Sequence, residues 1–254
     1  VAIPLATRLY RSPESRNLLP DGDPVVEEKT GEGPQHTLES ESPELTTKQA
    51  LLTPAYWMLS LSCGIRTTAF MGLGIHLVGI MVWKGLDEIT AGLLLSAYAF
   101  IWMASTFTMG WLGDRWSKAR IAATPAFFGS LAMVLLLVID HVEVWQMALI
   151  LMLWATNEGT WALNFSLLGD IFGRRNFGAN RGAMLAIMHF MGLGAPFYSG
   201  WVFDRTDSYT WVLIPVGALL AVAGVLNWFL PRFSRSLLNP PDEHMRRIED
   251  PACD

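Results

Sequence analysis

Three ionisable side chains stand where charge is expensive. Arg66, Glu158 and His189 each lie inside a long apolar run, and a charge at bilayer depth marks a functional position by default. At helical spacing Glu158 is surrounded by Trp154, Ala155, Trp161, Ala162 and Phe165. Such a surround favours the neutral acid over the carboxylate, so this group could carry a coupled proton; a structural ion pair or a hydrogen bond to a neighbouring helix is the other reading. Arg66 stays protonated and needs a partner. That partner could be an anionic substrate such as a carboxylate, Glu158, or a residue of another part of the molecule. His189, like His76, has an imidazole that titrates near physiological pH and could bind a coupling ion or simply hydrogen-bond in packing. Asn157, Thr160 and Asn164 fall close to one face of the Glu158 segment. They could line a polar cavity or hold helices together. No Ser/His/Asp constellation, metal-ligand spacing or nucleotide loop is visible, so no catalytic residue, metal or cofactor is expected, and the chain does not read as an enzyme.

The segments that carry these groups follow from composition. Of 254 residues, 52% are hydrophobic and only 16% charged, against roughly a quarter charged in soluble domains. Six apolar runs, at 53–83, 89–112, 121–139, 144–168, 183–203 and 211–230, each approach or exceed the ~20 residues that span a bilayer as a helix. No barrel-type alternation is present, so backbone bonding in lipid requires helices. The expectation is an all-α membrane protein in three parts. Residues 1–50 form a polar loop without order, 51–231 a bundle of six transmembrane helices, and 232–254 a tail. Gly64, Thr68 and Gly72 mark a close helix contact, and Gly192, Gly194 and Pro196 should loosen or kink the fifth helix. Tryptophans at run ends, such as Trp83, Trp145 and Trp211, read as interfacial anchors. Val1–Leu5 followed by Arg8 and Arg11 reads as the end of a helix whose remainder is absent. The net charge of -5 comes largely from the amino-terminal segment and says nothing about nucleic acid; no basic patch with interleaved aromatics suggests such a partner. Cys63 and Cys253 are too few and too separated for a disulfide framework.

Lysines and arginines give the orientation. One side receives Arg115, Lys118, Arg120, Arg174, Arg175, Arg181, Arg232 and Arg235. The other receives only Lys84 and Arg205, among acids. The positive-inside bias puts the first group, both termini and two charged turns in the cytoplasm, as expected of a multi-pass protein, with the cell membrane the expected location.

Those turns carry a resemblance. Gly110-x-Leu112-x-Asp114-Arg115-x-Ser117-Lys118-x-Arg120 resembles the loop that joins the second and third helices of each half of major facilitator superfamily transporters. Ser117 stands for the usual Gly and Ala119 for a usual basic residue, as in the weaker carboxy-terminal copy. Phe172-Gly173-Arg174-Arg175-Asn176-Phe177-Gly178 with Arg181-Gly182 resembles the loop before that family's eleventh helix. Gly200-Trp201-Val202-Phe203-Asp204-Arg205 resembles that helix's outer end, in the manner of the oxalate/formate-antiporter and monocarboxylate-transporter-like branches. Arg11-Ser12-Pro13-Glu14 and Leu19-Pro20-Asp21-Gly22-Asp23 are similar to the loop between halves.

The resemblance implies helices seven to twelve of a twelve-helix secondary transporter. Its partners would be the lipid bilayer, a small-molecule substrate and an amino-terminal six-helix half. It implies substrate candidates at Arg66, Glu158, His189, Asn157 and Asn164. It also implies a gating element of Gly110, Asp114, Arg115, Lys118, Arg120, Arg174 and Arg175, in which Asp114 pairs across the two turns as a latch. The eighth helix lacks the substrate cation that the carboxylate carriers often place there. A different class remains open: a membrane sensor, scaffold or assembly protein that transports nothing.

Overall fold

The computed structural model describes residues 45–173 and 176–238, with side chains to residue 234. Every regular element among them is an α-helix. Short α1 (Thr47–Leu51) is closed by a capping box in which Thr46 and Gln49 satisfy each other's backbone N–H groups. Helix α2 (Pro54–Gly74) starts at Thr53, whose hydroxyl accepts from the Tyr56 N–H, with Pro54 in the first turn. It continues after a 61° bend into α3 (Leu77–Trp83). Asp87 caps α4 (Glu88–Arg115), and a two-residue turn leads to α5 (Lys118–Val138). Then follow α6 (Val144–Glu158), α7 (Trp161–Phe172), α8 (Phe177–Gly192), α9 (Ala195–Thr206) and α10 (Thr210–Leu238).

Three of these helices are long and apolar enough to cross a membrane: α4, α5 and the stretch Thr210–Ser234 of α10. The bent pair α2–α3 makes a fourth if it is one span. The remaining two apolar runs are divided. The fourth, expected as a continuous helix, breaks at Gly159–Thr160, and the fifth, expected to loosen or kink at Gly192, Gly194 and Pro196, breaks at Leu193–Gly194. Their pieces, 12 to 16 residues long, reach only about 18–24 Å each, short of the ~30 Å hydrocarbon thickness. A run's length cannot reveal an interruption inside it. Pro196 in the first turn of α9 and the Gly192 and Gly194 backbone supply the second break. The first has a tertiary cause, described below. Of the expected order-free loop 1–50, residues 1–44 lie outside the described residues, as do 239–254 of the expected tail 232–254, and Arg174 and Arg175; the described ends of both segments are helical, in α1 and in α10 to Leu238.

Packing follows a regular scheme. Helix α10 lies along α5; α2 packs on α8 and on α10; α6 packs on α4 and on α5. Exchanging the first three runs for the last three converts α2–α8 into α6–α4 and α2–α10 into α6–α5, and leaves α5–α10 unchanged. The small-residue face of α2 is a contact surface. A Cβ on Gly64 would sit 2.4 Å from Met191 Sδ, and one on Gly72 would sit 3.1 Å from the Ala195 Cβ. The outer surface is strongly apolar, with Phe100, Phe107 and Phe190 at 70%, 74% and 82% exposure. On a protein in water this would be an extended patch calling for a partner; on a helix long enough to cross a membrane, such as α4 with Phe100 and Phe107, it is compatible with lipid.

Buried apolar side chains form two clusters. One contains Ala69, Leu73, Met147, Trp154 and Ala155. The other contains Tyr56, Leu59, Cys63, Leu163, Leu168 and Met188. Along α2 the clusters are separated between Cys63 and Ala69, and along α6–α7 between Ala155 and Leu163. The intervening residues form a polar layer.

Candidate functional site

The polar layer is built where the fourth run breaks. Gly159 lets the chain come against α4: a Cβ there would be 2.7 Å from the Ser105 Cβ and 2.8 Å from the Ser105 carbonyl carbon. No larger residue fits without moving backbone. The helix therefore passes from Glu158 through Gly159 into Thr160, which is the N-cap of α7 at φ -87° and ψ 6°. Beside it, a Cβ on Gly129 of α5 would be 3.2 Å from the Asn157 Cγ, so Asn157 is wedged between α5 and the break.

Arg66 reaches the break from α2. Its Nη2 donates to the Asn157 carbonyl oxygen and to the Thr160 hydroxyl, and that hydroxyl also donates to the Asn157 carbonyl at 3.0 Å. Glu158 accepts from the Asn157 side-chain amide (Nδ2 to Oε1, 2.9 Å) and from the Trp161 indole N–H (Nε1 to Oε2, 3.1 Å). Arg66, Asn157, Glu158 and Thr160 are at most 2% exposed. Arg66 and Glu158 act on each other through space, yet make no direct ion pair; the direct ion pair among the described residues is Lys118–Asp170. Among the described residues the guanidinium Nε and Nη1 have no acceptor, nor has Asn164 Oδ1 a donor. These groups border a cleft lined by Cys63, Arg66, Trp161, Asn164, Phe165 and Met188. Its free volume is about 10 Å³, room for about one water.

A buried cation with two nitrogens unspent, beside a carboxyl held by neutral donors, can accept an oxyanion and a proton in one place. Of the sequence candidates, Arg66, Asn157, Glu158 and Asn164 come together here. His189 does not: it is exposed, with Nδ1 2.8 Å from the Leu185 carbonyl oxygen of its own helix. Tyr98 of α4, buried and within electrostatic reach of Glu158, was not singled out by sequence. Its only signal is a phenol in an apolar run. Trp161 and Phe165, expected around Glu158, line the cleft, whereas Met188 was not singled out by sequence. Among the described residues no group of three or more His, Cys, Asp or Glu side chains is arranged to hold a metal ion.

At the charged turns the observed link differs from the expected one. Asp114 is exposed and belongs to no described ion pair, and any pairing with Arg174 or Arg175 lies outside the described residues. Instead Lys118 Nζ donates to Asp170 at 2.6 Å and to the Ser166 hydroxyl at 2.8 Å, joining the start of α5 to α7. Gly113 packs tightly, with Leu163 Cδ1 2.3 Å from where its Cβ would be, whereas Gly110 faces open space. Arg115 stacks over the Trp111 ring at 3.9 Å, and Arg120 is exposed. On the opposite end Lys84 is buried, with Nζ donating to the Ile139 carbonyl oxygen at 2.7 Å. Burial pushes the Lys84 ammonium below its usual range, and nearby Asp140 opposes that push.

No protein-family model matches the chain. No curated protein matches it either.

Proposed function

We propose that the chain is a six-helix half of a secondary transporter of the major facilitator type, working by alternating access on a small organic anion such as a carboxylate. The observation that carries this reading is the buried Arg66 guanidinium, with Nε and Nη1 unsatisfied beside Glu158 at a broken helix. Transporters of this class place substrate and coupling ions at broken helices near mid-membrane, in folds built from internal repeats. Two further features support it. The helix packing is preserved when the first three apolar runs are exchanged for the last three, and the corresponding first and fourth runs are both interrupted. The charged turn at Gly110–Arg120 also follows the second run, the place the resemblance requires. On this reading six apolar runs cross the cell membrane, both ends are cytoplasmic, and an amino-terminal half completes the cavity.

The test is uptake into proteoliposomes carrying the full-length protein. A panel of radiolabelled small carboxylates is offered under an imposed pH gradient, with release by unlabelled solute as the exchange control. Saturable, gradient-driven accumulation of one or more is expected. Flux equal to protein-free liposomes for every compound, and for neutral and cationic controls, would favour the sensor or scaffold class.

The Lys118–Asp170 link yields a separate expectation. Both side chains are partly exposed, at 25% and 51%, so the pair should contribute no more than ~1 kcal/mol to stability. Lys118→Met should leave the melting temperature nearly unchanged while altering turnover, because the pair joins two cytoplasmic elements that must separate in one access state. A normal turnover number with Lys118→Met would remove the link from the gate.

A further inference from the structure

The Arg66 cleft has a closed side, and the residues closing it carry an inference that rests on the anion reading above. Phe165 lies one turn beyond Trp161 on α7, toward the basic turns, and the two rings are 6.1 Å apart and tilted by 49°. Phe165 borders the same cleft as Arg66. From outside the cleft, the guanidinium of Arg181 on α8 sits 4.3 Å over the Phe165 ring. Arg181 is exposed, while Phe165 is half-buried. The order is therefore an exposed cation, an aromatic ring, and a buried cation with two unspent nitrogens. Arg181 has no carboxylate partner among the described residues. Its attachment to Phe165 is a cation–ring contact, weak enough for a passing anion to replace.

We propose that Arg181 is an outer anion-binding residue at the mouth of the Arg66 cleft and that Phe165 is the partition between them. An anion arriving from the side of the basic turns draws the guanidinium off the ring. The freed ring can turn, and the anion passes to Arg66. The two cations thus act in sequence on a ligand of one charge sign, and the partition stays shut to cations because nothing competes for Arg181.

The chain's own thiol reports on this. Cys63 borders the cleft, and Cys253 is the only other cysteine of this sequence, so Cys253→Ser, with any cysteine of the amino-terminal half likewise replaced by serine, leaves a single target. In detergent, with both faces accessible, Cys63 is titrated with two methanethiosulfonates of similar size, one bearing a sulfonate and one a trimethylammonium group. The sulfonate reagent is expected to react faster. Arg181→Gln should reduce that preference by about threefold, the worth of one exposed charge–charge contact, and Arg181→Lys should restore most of it. Phe165→Ala should raise both rates. Equal rates for the two reagents, an unchanged preference in Arg181→Gln, or no labelling in any variant would overturn the proposal. Labelling requires no transport, so the outcomes separate. The expected pattern without carboxylate uptake keeps the anion passage and removes the transporter, while uptake without the pattern does the reverse.

Discussion

Arg66→Met is expected to abolish carboxylate uptake and to lower stability by about 1–3 kcal/mol, the usual cost of leaving buried polar groups without their donor. The loss has two origins. The Asn157 carbonyl and the Thr160 hydroxyl both receive Nη2 of Arg66 at the break, and without it the carbonyl keeps only the Thr160 hydroxyl at 3.0 Å and the Thr160 backbone N–H at 3.4 Å. Glu158 meanwhile loses the positive charge that acts on it through space and retains only Asn157 and Trp161 as donors. Arg66→Lys should recover part of the stability and little of the transport. A single ammonium cannot hold the break and also present two further donors to a ligand. Thermal melting and uptake, measured on the same preparations, separate the two effects. Full uptake with Arg66→Lys would show that charge alone suffices.

A second large effect is expected at Gly159, which touches no ligand. Gly159→Val places side-chain atoms where Ser105 backbone already stands, with the first added carbon 2.8 Å from the Ser105 carbonyl carbon. Backbone cannot yield as a flexible side chain does. The cost should reach or exceed the ~1–3 kcal/mol typical of overpacking, and α4 should separate from the α6–α7 break. Ser105→Gly in the same protein should rescue little, because the carbonyl carbon and oxygen of Ser105 remain in contact. Uptake should fall with stability, through displacement of Glu158 and Thr160. A stable, active Gly159→Val protein would mean that the close approach does not shape the site.

These two positions show what could and could not be read beforehand. Arg66, Asn157 and Glu158 were legible because burying ionisable and amide groups in an apolar run is costly whatever the fold. The break that joins them was not, since it depends on Ser105, more than fifty residues away in sequence, coming against Gly159. Helical extent was legible for α4, α5 and α10, whose apolar runs are unbroken helices. It was overestimated for the runs that contain α6–α7 and α8–α9. His189 had the same credentials as Glu158, an ionisable group mid-run. Helical phase turned it outward, and phase against neighbouring helices is set by tertiary packing. At the charged turns the resemblance implied Asp114 as a bridging acid, and its expected partners Arg174 and Arg175 lie outside the described residues. The bridge observed there uses Asp170, with the cation on the α5 side. Its signal was present: an acid one turn before Gly173, facing a lysine across two short turns.

The most direct measurement is the pH dependence of carboxylate uptake by Glu158→Gln in proteoliposomes. Glutamine keeps one acceptor for the Asn157 and Trp161 donors and cannot titrate. If Glu158 carries the proton that accompanies an anion at Arg66, the wild-type protein accumulates carboxylate in response to the pH gradient. The Glu158→Gln protein should then exchange carboxylate without following that gradient. Gradient-driven accumulation with a wild-type pH profile in Glu158→Gln would contradict a proton site at Glu158.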